Sequence, residues 1–148
     1  LKTGRPGSDE DGEVLMKQVL EKGGINSKHF YLRDGSGESR YNLITPKAAV
    51  RLLKLVYSDQ QIRKPFIEAL PQYGNEGTVK YRSINGGYGK FVYAKTGTFK
   101  GISALAGYYL PPKGPKYAFA IMSNNSRLSW VEIKGLEDKI LHILLNSK

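Results

Sequence analysis

Apolar residues in the first half of the chain recur at helical spacing. Ser8 followed by Asp9, Glu10 and Asp11 reads as a cap with acids in the first turn, after which Val14, Leu15, Val19 and Leu20 repeat until Gly23-Gly24. That pattern predicts a helix. His29-Phe-Tyr-Leu32 predicts a short strand, and the following R-D-G-S-G-E-S-R-Y-N, residues 33–42, is too rich in glycine, serine and aspartate for a regular element. Thr45 then caps a second helix that starts on Pro46 and carries Ala49, Leu52, Leu53 and Val56 on one side. A third, shorter helix is expected from about Ile62 to Leu70, bent or interrupted near Pro65 and ended by Pro71.

The second half changes period. The glycine-rich stretch from Gly74 to Gly89 predicts a long loop with a strand fragment, and three strands are then expected at Phe91 to Thr98, Ile102 to Leu110 and Tyr117 to Ser123. The connections F-K-G and P-P-K-G-P-K are short, so neighbouring strands must run antiparallel. A closing helix is predicted from Ile133, Leu136, Ile140 and Leu144, which step by three and four residues. Ala104, Ala106 and Gly107 allow close approach to the middle strand, with the closing helix as the expected neighbour. The layout is α+β: an antiparallel sheet with flanking helices. Neither an internal repeat nor a linker divides it, so residues 1–148 are expected to form one domain or part of one.

Composition narrows the chemistry. The chain has no cysteine, which excludes disulfides and thiolate metal sites, and His29 and His142 stand too far apart in sequence to suggest a metal cluster. No metal and no cofactor are expected. The net charge of +10 is spread along the chain without a zinc-finger, RRM or KH signature, which argues for a general attraction to polyanions and against a nucleic-acid partner. No apolar run approaches the roughly 18 residues of a membrane span. The first residues resemble no signal peptide and Leu1 is not an initiator methionine, so the chain is read as a piece of something longer.

The most informative stretch is F-V-Y-A-K-T-G-T-F-K-G, Phe91 to Gly101, a strand that ends in a cation, hydroxyls and a glycine. Lys-Thr-Gly is one motif of the penicillin-binding protein and β-lactamase superfamily, weak as a lone tripeptide. Gly97 strengthens it, because a missing side chain lets a substrate lie along the strand edge. Upstream, D-G-S-G-E-S-R-Y-N-L-I-T-P resembles the D-G-S-G-L-S-R-x-N-x-x-T/S-P signature of the low-molecular-mass class C penicillin-binding proteins, the D-alanyl-D-alanine carboxypeptidase/endopeptidase family called peptidase S13. L-P-Q-Y-G-N-E-G-T-V-K-Y-R, A-K-T-G-T-F-K-G-I-S-A-L-A-G-Y and Y-A-F-A-I-M-S-N-N resemble further family segments in family order. The resemblance covers nearly the whole chain.

This resemblance implies a penicillin-binding protein/β-lactamase-like transpeptidase fold. It also implies a serine D,D-peptidase that acylates on the penultimate D-alanine of a peptidoglycan stem and passes the acyl group to water. By the motif match, Ser39 would be the second-motif hydroxyl that relays a proton to the leaving amine, and Lys95 would set positive charge beside it. Thr96 and Thr98 would hold the substrate carboxylate, Gly97 would keep the edge clear, and the Thr98 N–H would be half of the oxyanion hole. Stem peptides would be the substrate, β-lactams the inhibitors, and the location periplasmic or otherwise extracytoplasmic.

The sequence departs from the family pattern in three places. Ser39 is followed by Arg40, Tyr41 and Asn42, which places the asparagine one position later than in S-x-N and leaves open whether Tyr41 or Asn42 faces the substrate. Glu38 replaces the usual leucine. No serine is followed three positions on by lysine, so the nucleophilic S-x-x-K motif is missing. The chain is therefore read as the C-terminal part of the peptidase domain, inactive alone, with the N-terminal part of the same protein as its partner. Taken singly, Lys95 fits a solvated strand end and Asp34 a turn former with Gly35. The alternatives are a β-lactamase or esterase of the same superfamily, or a non-catalytic module that binds wall or β-lactam.

Overall fold

The computed structural model describes residues 7–146. The chain falls into two compact units, Leu1–Leu55 and Val56–Lys148, with the boundary inside a helix.

In the first unit, α1 spans Asp9–Lys22, and its Ser8 cap accepts the Asp11 N–H at 3.1 Å. Of its four predicted core residues only Leu20 is buried; Val14, Leu15 and Val19 are exposed. Burial is concentrated at the last turn, where Leu20 and Ile25 join Ala48, Phe30, Leu32 and Leu52. Gly23 permits this, since a Cβ there would lie 2.5 Å from the Leu55 side chain. Strand β1, Phe30–Tyr31, pairs antiparallel with β2, Leu43–Ile44, and so closes the 33–42 loop at its base. β2 escaped prediction because two residues carry no alternation. Helix α2, Pro46–Ser58, starts as expected, with the Thr45 hydroxyl accepting the Ala48 N–H.

After the last turn of α2, the second unit continues with α3, Arg63–Glu68, which is continuous through Pro65. The expected bend is missing because the helix begins at Arg63, placing Pro65 in the first turn, where no intrahelical N–H bond is needed. From residue 77 to 91 the chain makes three 3-10 turns, Gly77–Val79, Asn85–Gly87 and Gly89–Phe91, and no strand fragment. Its own apolar residues Val79 and Ile84 pin the segment to the core instead.

Strands β3 (Val92–Phe99), β4 (Ile102–Tyr109) and β5 (Tyr117–Ser123) form one antiparallel sheet in that order, which makes β3 an edge. Lys95 stands opposite Ala106 and Gly97 opposite Ala104. One face buries Val92, Ala94, Leu105, Tyr109 and Phe119 against Leu141 and Leu145 of the closing helix α4, Trp130–Asn146. Ala104 and Ala106 alternate to the other face and are only half-buried. The close approach at Gly107 is made by β3: a Cβ there would overlap the Tyr93 carbonyl and Ala94 Cα. The closing helix is therefore not the neighbour that glycine admits.

The inward stripe of α4 also differs from expectation. Ile133, Glu137, Leu141 and Leu145 are buried, while Leu136, Ile140 and Leu144 are exposed. A glutamate occupies the inward position because partners await it. Glu137 accepts from Ser103 Oγ at 2.7 Å and from the Arg82 guanidinium at 2.8 Å. Arg82 also donates to Asp138 Oδ1 at 2.8 Å and to the Lys134 carbonyl at 2.9 Å, and the Tyr73 hydroxyl donates to Asp138. Burial alone would lower the Arg82 pKa, but the Glu137 hydrogen bond and the neighbouring Tyr73 and Asp138 outweigh it and raise it. Burial first, and then the Asp138 hydrogen bond, push the Tyr73 hydroxyl upward. The network ties the 73–82 segment to β4 and α4. Among the described residues no helix is long and apolar enough to cross a membrane.

Candidate active site

The outer edge of β3 is half closed and half open. Tyr73 N–H donates to the Val92 carbonyl at 2.9 Å and Ala94 N–H to the Pro71 carbonyl at 3.1 Å, with Gln72 opposite Tyr93. Since backbone groups alternate along a strand, the next outward pairs belong to Thr96 and Thr98. In this register Thr96 would face Ala69, whose N–H is already spent on the Pro65 carbonyl at the end of α3. The pairing segment has turned helical there. The Thr96 and Thr98 amides are thus left on an edge that can accept an added strand.

Side chains gather on that open half. The Lys95 ammonium donates to the Thr96 carbonyl at 2.6 Å, which sets its charge at the edge itself. Thr96 is half-buried, with its hydroxyl 2.6 Å from that of Thr78 in the 77–79 turn, whereas Gly97 and Thr98 are exposed. A Cβ on Gly97 would meet only the Ala104 Cβ, at 3.8 Å, and its backbone is not left-handed. Internal packing does not require glycine there. The surface above the edge is unobstructed at this position.

The 33–42 loop in the other unit is built from its own polar side chains. Asn42 Oδ1 accepts the Arg33 and Asp34 N–H groups at 2.7 and 3.3 Å, and its Nδ2 donates to Asp34 Oδ1 at 3.0 Å. Asp34 also accepts from the Ser36 N–H and hydroxyl, at 3.0 and 2.9 Å. These bonds, the one from Asn42 foremost and those from Ser36 next, hold the Asp34 carboxyl below its ordinary value. Ser39 Oγ accepts the Tyr41 N–H at 3.2 Å. Tyr41 is 72% exposed.

The candidate residues therefore form two groups. Lys95, Thr96, Gly97 and Thr98 share one open strand edge. Ser39, Tyr41 and Asn42 share one loop, in which the Asn42 amide is committed internally and Tyr41 faces solvent. Sequence reasoning missed Thr78 as a neighbour of Thr96; its only signal was its place in the L-P-Q-Y-G-N-E-G-T segment. Among the described residues no group of three His, Asp or Glu side chains could hold a metal ion.

An antiparallel sheet backed by a closing helix, with Lys-Thr-Gly-Thr on its open edge, is the sheet portion of a penicillin-binding-protein fold. Residues 1–145 match the D-Ala-D-Ala carboxypeptidase 3 (S13) family, and the chain belongs to that family. It is 35% identical over 132 residues to the D-alanyl-D-alanine carboxypeptidase DacB of Haemophilus influenzae, a match that covers 88% of this chain and 27% of that protein. A D-alanyl-D-alanine carboxypeptidase from an Actinomadura species is 35% identical over 127 residues, covering 82% and 23%. The crystal structure of penicillin-binding protein 4 from H. influenzae superposes with a TM-score of 0.83 at 31% identity, covering 97% of this chain and 33% of that one. A second structure of that protein, complexed with a novel β-lactam, has a TM-score of 0.81. The chain spans about a quarter of the length of these curated relatives.

Proposed function

We propose that this chain supplies the carboxylate clamp and half of the oxyanion hole of a serine-type D-Ala-D-Ala carboxypeptidase/endopeptidase that acts on peptidoglycan stem peptides and is acylated by β-lactams. The observation that carries the reading is the free edge at Thr96 and Thr98, beside an ammonium and two hydroxyls and above a glycine that packing does not require. A stem peptide would add to this edge as a strand, with its terminal carboxylate on the Thr96 and Thr98 hydroxyls and the Lys95 charge nearby.

The chemistry is acyl transfer. A serine oxygen bonds to the carbonyl carbon of the penultimate D-alanine, the peptide C–N bond breaks, and the serine proton passes through a base to the leaving amine. Water then cleaves the ester and regenerates the serine. The Thr98 N–H would stabilise the oxyanion that forms on the carbonyl oxygen in both steps. We place the nucleophile and its base in the part of the protein outside this chain, because no S-x-x-K occurs within it. Stem peptides lie outside the cytoplasmic membrane, so an extracytoplasmic location goes with the reading.

For the loop, the Asn42 amide is used by Arg33 and Asp34 and Tyr41 is exposed. Ser39 Oγ accepts the Tyr41 N–H and keeps its own proton to donate. We therefore propose that Asn42 shapes the loop, that Tyr41 is the side chain it presents to ligand, and that Ser39 relays the proton to the leaving amine. The test is labelled-penicillin acylation of the full-length protein. Lys95→Ala and Ser39→Ala should each slow acylation about a hundredfold or more, the scale of losing an electrostatic stabiliser or a proton-transfer group. An unchanged Lys95→Ala rate would overturn the clamp, and an unchanged Ser39→Ala rate would overturn the relay.

A further inference from the structure

Thr78 lies outside the Lys-Thr-Gly motif, yet its hydroxyl is 2.6 Å from the Thr96 hydroxyl. It is held there from several directions. Val79, the next residue, is fully buried, and its carbonyl accepts the Gly74 N–H at 2.9 Å. Gly77 sits at φ +51 with Pro71 packed so close that a Cβ would lie 3.1 Å from it. Four residues on, Arg82 locks the segment to Glu137 and Asp138 of α4. A side chain on so constrained a turn has a fixed position relative to the edge of β3.

The hydrogen-bond inventory then sets a direction. A hydroxyl offers one proton, and an ionised carboxylate offers none. If Thr96 gave its proton to Thr78, it would turn only lone pairs toward a carboxylate and repel it. If Thr78 donates to Thr96, the Thr96 proton is released toward the ligand and the two bonds polarise one another. We infer that Thr78 is a positioning residue: its hydroxyl donates to Thr96 Oγ1 and thereby aims the Thr96 proton at the substrate carboxylate. This rests on the proposed role of Thr96 as part of the carboxylate clamp.

The test compares benzylpenicillin with its methyl ester as acylating agents of the full-length protein. The ester keeps the β-lactam and removes the negative charge. Thr78→Val, which keeps the shape and removes the hydroxyl, should slow acylation by the acid about tenfold, leave the ester rate within about twofold, and leave the melting temperature unchanged. Thr78→Ser should restore the acid rate. Equal slowing of acid and ester, or no slowing, would overturn the inference. Thr96→Val in the same assay separates the two levels. Loss of acid-over-ester preference in Thr96→Val but not in Thr78→Val would refute the role of Thr78 alone, and preference kept in Thr96→Val would refute the clamp beneath it.

Discussion

Ala94 donates its N–H to the Pro71 carbonyl at 3.1 Å, and this bond is the last that closes the outer edge of β3 before the Lys-Thr-Gly-Thr residues begin. Gly97, between Thr96 and Thr98, leaves the sheet face beside that edge uncovered. The structure has room inside for a larger residue there, since a Cβ would meet only Ala104 at 3.8 Å. Gly97→Val should therefore leave the melting temperature of the full-length protein nearly unchanged while slowing penicillin acylation by on the order of a hundredfold, the cost of displacing a reactant by about 1 Å. Calorimetry and acylation kinetics on one preparation check both halves.

The ion network under the 73–82 segment gives a second expectation. Arg82 and Glu137 side chains are 5% and 2% exposed, so Arg82→Met leaves a buried carboxylate with Ser103 as its remaining donor. Removing one partner of such a pair costs about 3–5 kcal/mol, whereas replacing both by apolar groups costs far less. Arg82→Met should lower hydrogen-exchange protection along α4 and β4, and Arg82→Met/Glu137→Met should recover most of it.

Acid should act on the 33–42 loop through Asp34. Its pKa is depressed in the folded loop by the bonds from Asn42 and Ser36. A depressed carboxyl stabilises above its unfolded value, about 3.9, and loses that contribution as pH falls through the folded value. The Ser36 amide chemical shift, followed by NMR, should stay constant at neutral pH and titrate only below about pH 4. In Asp34→Ala the same shift should show no such titration.

Several features were legible in sequence because local rules decide them. Ser8 and Thr45 cap the helices that follow, short turns force antiparallel strands, and β3 to β5 lie within one residue of their predicted bounds. Features that depend on a distant partner were not legible. Glu137 faces inward because Ser103 and Arg82, 34 and 55 residues away, complete its hydrogen bonds, and hydropathy alone pointed to Leu136, Ile140 and Leu144. Gly107 was rightly taken as a point of close approach, but only the register with β3 says which neighbour approaches. At the site, the motif marked Lys95 to Thr98. That the edge is open there, and that Thr78 reaches it, follow from where α3 ends and Pro71 pairs.

The most direct test of the edge as a ligand site is a crystal structure of the full-length protein acylated by benzylpenicillin. If this edge is the ligand site, the acyl carbonyl oxygen should lie within about 2.7–3.1 Å of the Thr98 N–H and the penicillin carboxylate on the Thr96 and Thr98 hydroxyls. An acyl group seated elsewhere, with the Thr96–Thr98 edge untouched by ligand, would contradict it.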